Sequence, residues 1–181
     1  MKNAKKYTSA LFFVLVLSLT IFSGCEKDDE NSSSPGYFIL DGKKHDLVKA
    51  YFRYFELEDN GVPYFQNEVY FLSAGITIEN EEASNGDMVL FECQDPLNQQ
   101  IPGTGEYKYL SDSDPVTPYT YFGFLFIQGV SSTESKDYWL RETVKVKKSG
   151  DVYEFSASGK TKDGEDFEFY YKGTLVPTPS N

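Results

Sequence analysis

Residues 143–176 read TVKVKKSGDVYEFSASGKTKDGEDFEFYYKGTLV, and they decide the fold class. Three alternating runs are separated by two turn signals, Ser149-Gly150-Asp151 and Lys162-Asp163-Gly164. In the middle run Tyr153, Phe155 and Ala157 share one face, with Glu154, Ser156 and Ser158 opposite. In the last run Phe167, Phe169 and Tyr171 alternate with Asp166, Glu168 and Tyr170. A period of two with one apolar and one polar face is the pattern of antiparallel strands that bury one side and wet the other.

The same pattern continues upstream. Strands are expected at 37–40, 47–57, 62–73, 75–78, 88–94 and 106–110, with hairpin signals at Asp41-Gly42-Lys43 and Asp59-Asn60-Gly61. Val48, Phe52 and Phe55 also sit at helical spacing, but the aromatic density from Tyr51 onward favours a strand. Residues 119–128 are apolar on both sides. Phe122, Phe124 and Phe126 are expected on one face and Tyr121, Leu125 and Ile127 on the other, so the strand needs a cover such as the 131–138 segment, or a ligand. Gly123 within it marks a bend or a close backbone approach. The expectation is an all-β domain over 36–176, an antiparallel barrel or sandwich of about eight to ten short strands, with a disordered tail at 177–181.

Composition narrows the function. The chain has 181 residues with 17 basic against 28 acidic side chains, a formal charge of −11. No basic patch is available to neutralise phosphates, which excludes a nucleic-acid partner. Hydrophobic content of 40%, with 17% aromatic, suffices for a packed core.

The first 24 residues have a basic start, an apolar run from Ala10 to Phe22 and the small residues Ser23 and Gly24. These are the three regions of a secretory signal, and the run is shorter than the roughly 18 residues of a spanning helix. Phe22-Ser23-Gly24-Cys25 resembles the bacterial lipobox, which implies that Cys25 is acylated and anchors the chain in a membrane. Residues 25–35 form an acidic, Ser-rich tether that cannot bury apolar surface. Lys27, Asp28, Asp29 and Glu30 are similar to the export signal of Bacteroidota lipoproteins, which implies an outer-membrane location facing the cell exterior. The C-terminal hairpin with Tyr171-Lys172-Gly173-Thr174-Leu175 resembles small Bacteroidota lipoproteins with calycin-like or streptavidin-like barrels. That resemblance is structural and carries over no functional residue.

Chemistry is sparse. His45, the one histidine, follows a turn in Gly42-Lys43-Lys44-His45-Asp46 and is expected to be solvated, so no imidazole serves a nucleophile. Glycine patterns for phosphate or dinucleotide binding are absent. Cys93, lying beside Phe91 and Val89 by alternation, is expected as a buried, inert thiol. Asp112-Ser113-Asp114 and Asp163-Gly164-Glu165-Asp166 gather oxygen ligands without matching a calcium loop, so no metal site and no cofactor is assigned. For a carboxylate pair, Glu68 and Glu92 beside Val69 and Phe91 are the best-placed acids. Tyr138 and Trp139, after a polar segment, are the exposed-aromatic candidates for a ligand.

The expected function is a non-enzymatic surface lipoprotein that binds a glycan or a small apolar ligand. One alternative is an accessory subunit docked on another outer-membrane protein. The other is a carbohydrate-active enzyme using two carboxylates.

Overall fold

The computed structural model describes residues 34–59, 61–76, 86–97, 100–111, 115–130, 132 and 134–178. The chain divides into two units, 1–33 and 34–181. The expected export signal, and with it Cys25, Lys27, Asp28, Asp29 and Glu30, lies outside the described residues, as do 179–181. Among the described residues no helix is long and apolar enough to cross a membrane.

The domain is all-β. Among the described residues there are twelve strands, β1 (Gly36–Leu40), β2 (Lys43–Leu47), β3 (Lys49–Asp59), β4 (Val62–Leu72), β5 (Gly86–Asp95), β6 (Gly105–Tyr109), β7 (Thr120–Val130), β8 (Lys136–Trp139), β9 (Val144–Ser149), β10 (Val152–Lys160), β11 (Asp166–Gly173) and β12 (Leu175–Pro177). They form one sheet in the order β12-β3-β4-β5-β7-β6-β9-β10-β11-β1-β2, with β8 also paired to β7. The sheet curls into a half-barrel, so its two halves face each other across a core. β6, β9, β10, β11, β1 and β2 make the first half, and the remainder make the second.

Local sequence explains the hairpins. Asp41 and Gly42 both have positive φ, 46° and 77°, and join Leu40 to Lys43 in register. A two-residue loop with both central residues at positive φ is the turn whose twist matches the flanking strands. The β9–β10 loop places Gly150, at φ 58°, just after Ser149.

The strand count exceeds the expectation because breaks fall where the chain changes partner. The expected strand through 176 stops at Gly173, and residues 175–177 leave the first half to pair in parallel with Ala50, Tyr51 and Phe52. Thr178 N–H then donates to the Phe52 carbonyl at 2.8 Å, so the expected tail is ordered to that point. Ser34 Oγ likewise bonds the Gly36 carbonyl at 2.9 Å, and the Pro35 carbonyl accepts from Lys172 N–H at 2.7 Å. The last two residues of the expected tether thus belong to the fold. Gly75, expected to open a strand, lies in a turn with Ala74.

Rings from both halves fill the interior. Phe71 of β4 meets Phe155, Phe169 and Tyr171 of β10 and β11, each with centroids 5.0 Å away. Phe38 stacks on Phe126 at 4.0 Å. Phe91 touches Tyr107, Phe124 and Phe155. Cys93 is 0% exposed in this cluster, and burial, then nearby Asp95, pushes its thiol well up, which fits an inert side chain.

Two sequence expectations change here. A register shift opposite Glu92 and Cys93 turns Tyr121 into the core beside Phe124, while Phe122 is displaced to a half-buried position. A one-residue bulge swaps faces in this way. His45 is not solvated but 7% exposed, edge-on to Phe126 at 4.9 Å. It shares a 2.7 Å hydrogen bond with Asp87, whose other oxygen accepts from Gly129 N–H at 3.0 Å. His45 and Leu47 both face inward, and β2 is held against the start of β5 by that contact.

Candidate ligand-binding face

The outer face of the second half carries an unbroken row of apolar side chains. In cross-strand register it runs Val176, Tyr51, Tyr70, Leu90, Leu125 and Trp139, one residue from each of six neighbouring strands. At about 4.8 Å between strands the row is roughly 24 Å long. Its ends are the most open, with Val176 46% and Trp139 45% exposed, whereas Tyr51, Tyr70 and Leu90 are half-buried and Leu125 is buried.

A polar row lies alongside: Arg53, Glu68, Glu92 and Gly123, again in register. Arg53 Nε and Tyr70 Oη both donate to the same oxygen, Glu68 Oε2. The Arg53 guanidinium lies over the rings of Phe55 and Tyr70, 5.2 and 5.4 Å from their centroids. Burial first, and then its bond to Glu68, pushes the Tyr70 phenol up, so Tyr70 remains a donor. Glu92 stands directly across from Glu68. Burial first, and next the neighbouring Glu68 charge, pushes its carboxyl above the usual carboxylate range, while Arg53 opposes the shift.

Gly123 is what makes room for Glu92. A Cβ at that position would sit 2.1 Å from Glu92 Oε2, so the glycine is explained by a close approach of a carboxylate. On the other side of the apolar row lie Lys49, Leu72, Met88, Ile127 and Asp137, with Lys49 Nζ 5.6 Å from the Tyr51 ring centroid.

This face gathers several residues the sequence singles out. Glu68 and Glu92 are adjacent, and Trp139 is on the same surface. Leu125 and Ile127, the second apolar side of β7, are part of it; β8 pairs alongside β7 instead of lying over it. Tyr138 points the other way and stacks on Phe126 in the core at 6.0 Å, so Tyr138 and Trp139 do not act together. Nothing local marks Tyr51 and Arg53 as site residues, because only the β3–β4 register places them beside Tyr70 and Glu68.

Two concavities lie elsewhere on the domain. One of about 480 Å³ on the outer side of the first half is lined by Glu142, Lys145, Ser156, Ser158, Glu168 and Tyr170. Another of about 560 Å³ is lined by Lys43, Asp87, Gln128, Gly129 and Lys136. Both are open and largely polar, and neither combines several exposed rings with polar groups in one plane. Among the described residues no group of three or more His, Cys, Asp or Glu could hold a metal ion. Asp112 to Asp114 lie outside the described residues. In the other acidic turn Asp166 is paired with Lys160 at 2.6 Å.

Comparison with known protein families, with curated proteins and with solved structures finds no match.

Proposed function

We propose that this chain is a non-enzymatic lipoprotein, anchored through acylated Cys25 on the exterior of a Bacteroidota-type outer membrane, which binds a glycan on the outer face of its second half. The observation that supports this most is the pairing of two rows in one plane, Tyr51 to Trp139 apolar and Arg53 to Glu92 polar. A pyranose ring has an apolar C–H face and a rim of hydroxyls, so it needs a flat ring beneath it and charged or polar groups at its edge. A row of this length suits a chain of sugars better than a single one. Because rings fill the interior, the ligand is assigned to the outside of the sheet.

The glycan reading is tested by electrophoresis of the full chain, in mild detergent, through native gels holding soluble neutral polysaccharides. Retardation is expected with at least one of them, and Trp139→Ala should weaken it by about 3- to 10-fold, the worth of one aromatic stacking contact. Equal retardation of the variant, or none for either protein, would refute the assignment. The anchor has its own test in cells fed labelled palmitate: Cys25→Ala should abolish incorporation, and label persisting in the variant would rule out acylation at that residue.

The aliphatic share of the face, Met88, Leu90, Leu125 and Ile127, favours a second reading, an accessory subunit docked on another outer-membrane protein. In that case Trp139→Ala would release a co-purifying partner and leave polysaccharide mobility untouched.

A further inference from the structure

We infer that the glycan taken by this face carries no negative charge, so that the site accepts neutral chains and turns away uronate-rich or sulfated ones. This rests on the glycan reading and adds the ligand's charge class to it.

Among the described residues, the charged groups in the apolar row's two flanking rows are Lys49, Arg53, Glu68, Glu92 and Asp137, two cations against three carboxylates. Both cations are engaged. Arg53 is bonded to Glu68 and lies over two rings, and Lys49 lies over Tyr51. Arg53 therefore cannot turn to an incoming carboxylate without exposing Glu68, which is only 8% exposed and has Glu92 across from it. A buried charge that loses its partner is costly, so the exchange is unfavourable. Glu68 and Glu92 already stand directly across from each other, with the Glu92 carboxyl pushed up by burial first and then by the Glu68 charge, and a further negative charge would add to the repulsion. The formal charge of −11 repels polyanions before contact as well.

A hydroxyl-bearing ligand meets the opposite situation. Arg53 and Tyr70 both donate to Glu68, which leaves the Glu92 carboxylate beside the apolar row as an acceptor. Sugar hydroxyls are donors that can satisfy it without bringing charge.

The test runs the full chain in detergent through native gels containing either a neutral polysaccharide panel, polygalacturonate, or the same polymer fully methyl-esterified. Retardation by a neutral polymer is expected, with at least 10-fold weaker retardation by polygalacturonate than by its ester. Glu68→Gln combined with Glu92→Gln frees Arg53 and should bring polygalacturonate to within about 3-fold of the ester. If the double variant does not fold, Glu92→Gln alone should narrow the gap by several fold. Polygalacturonate binding the unaltered chain as well as its ester would overturn the inference and leave glycan binding standing. So would a foldable variant that still rejects the acid while keeping the neutral ligand. If no polymer retards the chain, the glycan reading itself fails and the charge rule falls with it.

Discussion

Phe71→Ala is expected to cost about 3–5 kcal/mol of folding stability, a large share of the roughly 5–15 kcal/mol of an ordinary domain. Phe71 is 0% exposed, and its ring meets three others at 5.0 Å. Those three come from β10 and β11, whereas Phe71 comes from β4, so the contacts join the two halves of the curled sheet. Truncation removes the burial of a large side chain and leaves a void among stiff rings that cannot collapse around it. Phe55→Ala is the control. Phe55 is 41% exposed on the outer side of β3, and its loss should change stability by about 0.5 kcal/mol or less. Urea unfolding followed by circular dichroism measures both, and an unchanged slope would show that the midpoint reports stability alone. A loss below about 1 kcal/mol for Phe71→Ala would mean that the halves do not close on this ring.

The same joining of distant strands separates what the sequence reveals from what it hides. The β9–β10–β11 unit is legible because each alternating run and each glycine-bearing turn lies within a few residues of its partner. The parallel pairing of β12 with β3 is not, since nothing in Leu175-Val176-Pro177 names Ala50 as its neighbour. The burial of His45 is hidden for a related reason. Its local surroundings are charged, and the group that satisfies it, Asp87, arrives from another strand. In the candidate face, Trp139, the second apolar side of β7 and the Glu68 and Glu92 acids are each visible in isolation. Their assembly into two rows depends on the register of β3, β4, β5, β7 and β8. One bulge in β7, just past the Glu92–Gly123 pair, decides that Tyr121, and not Phe122, lies opposite Cys93 in the core, and a bulge has no reliable mark in a single chain.

Asp95→Ala should cost about 3–5 kcal/mol, for a reason unlike that of Phe71. Asp95 is 0% exposed at the end of β5. Its carboxylate accepts from Tyr107 Oη at 2.6 Å, Asn67 Nδ2 at 2.9 Å, Gly103 N–H at 3.1 Å and, more weakly, Cys93 Sγ at 3.7 Å. Alanine leaves the Asn67 amide and Gly103 N–H facing a void, and Tyr107 Oη with only the Gly103 carbonyl at 3.1 Å. Each unpaired buried donor costs about 1–3 kcal/mol, and the void left by the carboxyl adds to the two. Asp95→Asn should be much milder, about 1 kcal/mol, since Asn67 Oδ1 has no partner among the described residues and can accept from the new amide once Asn67 turns over. The two substitutions also differ from the native chain in their response to pH. Burial raises the Asp95 carboxyl above its ordinary value, although its bonds with Tyr107, Gly103, Asn67 and Cys93 pull the other way. A carboxyl raised on folding favours the native state fully below its unfolded pKa, and that contribution is lost as pH rises through the folded value. The stability of Asp95→Asn relative to the native chain should therefore improve with rising pH from the ordinary Asp range upward, and then level off. Urea midpoints taken every half unit above pH 3 measure this difference, in which the other titrating groups cancel. A flat difference would mean that Asp95 titrates alike folded and unfolded. An alanine variant no weaker than the asparagine one would mean that the four bonds do not hold the β5 end and the Gly103 turn in place.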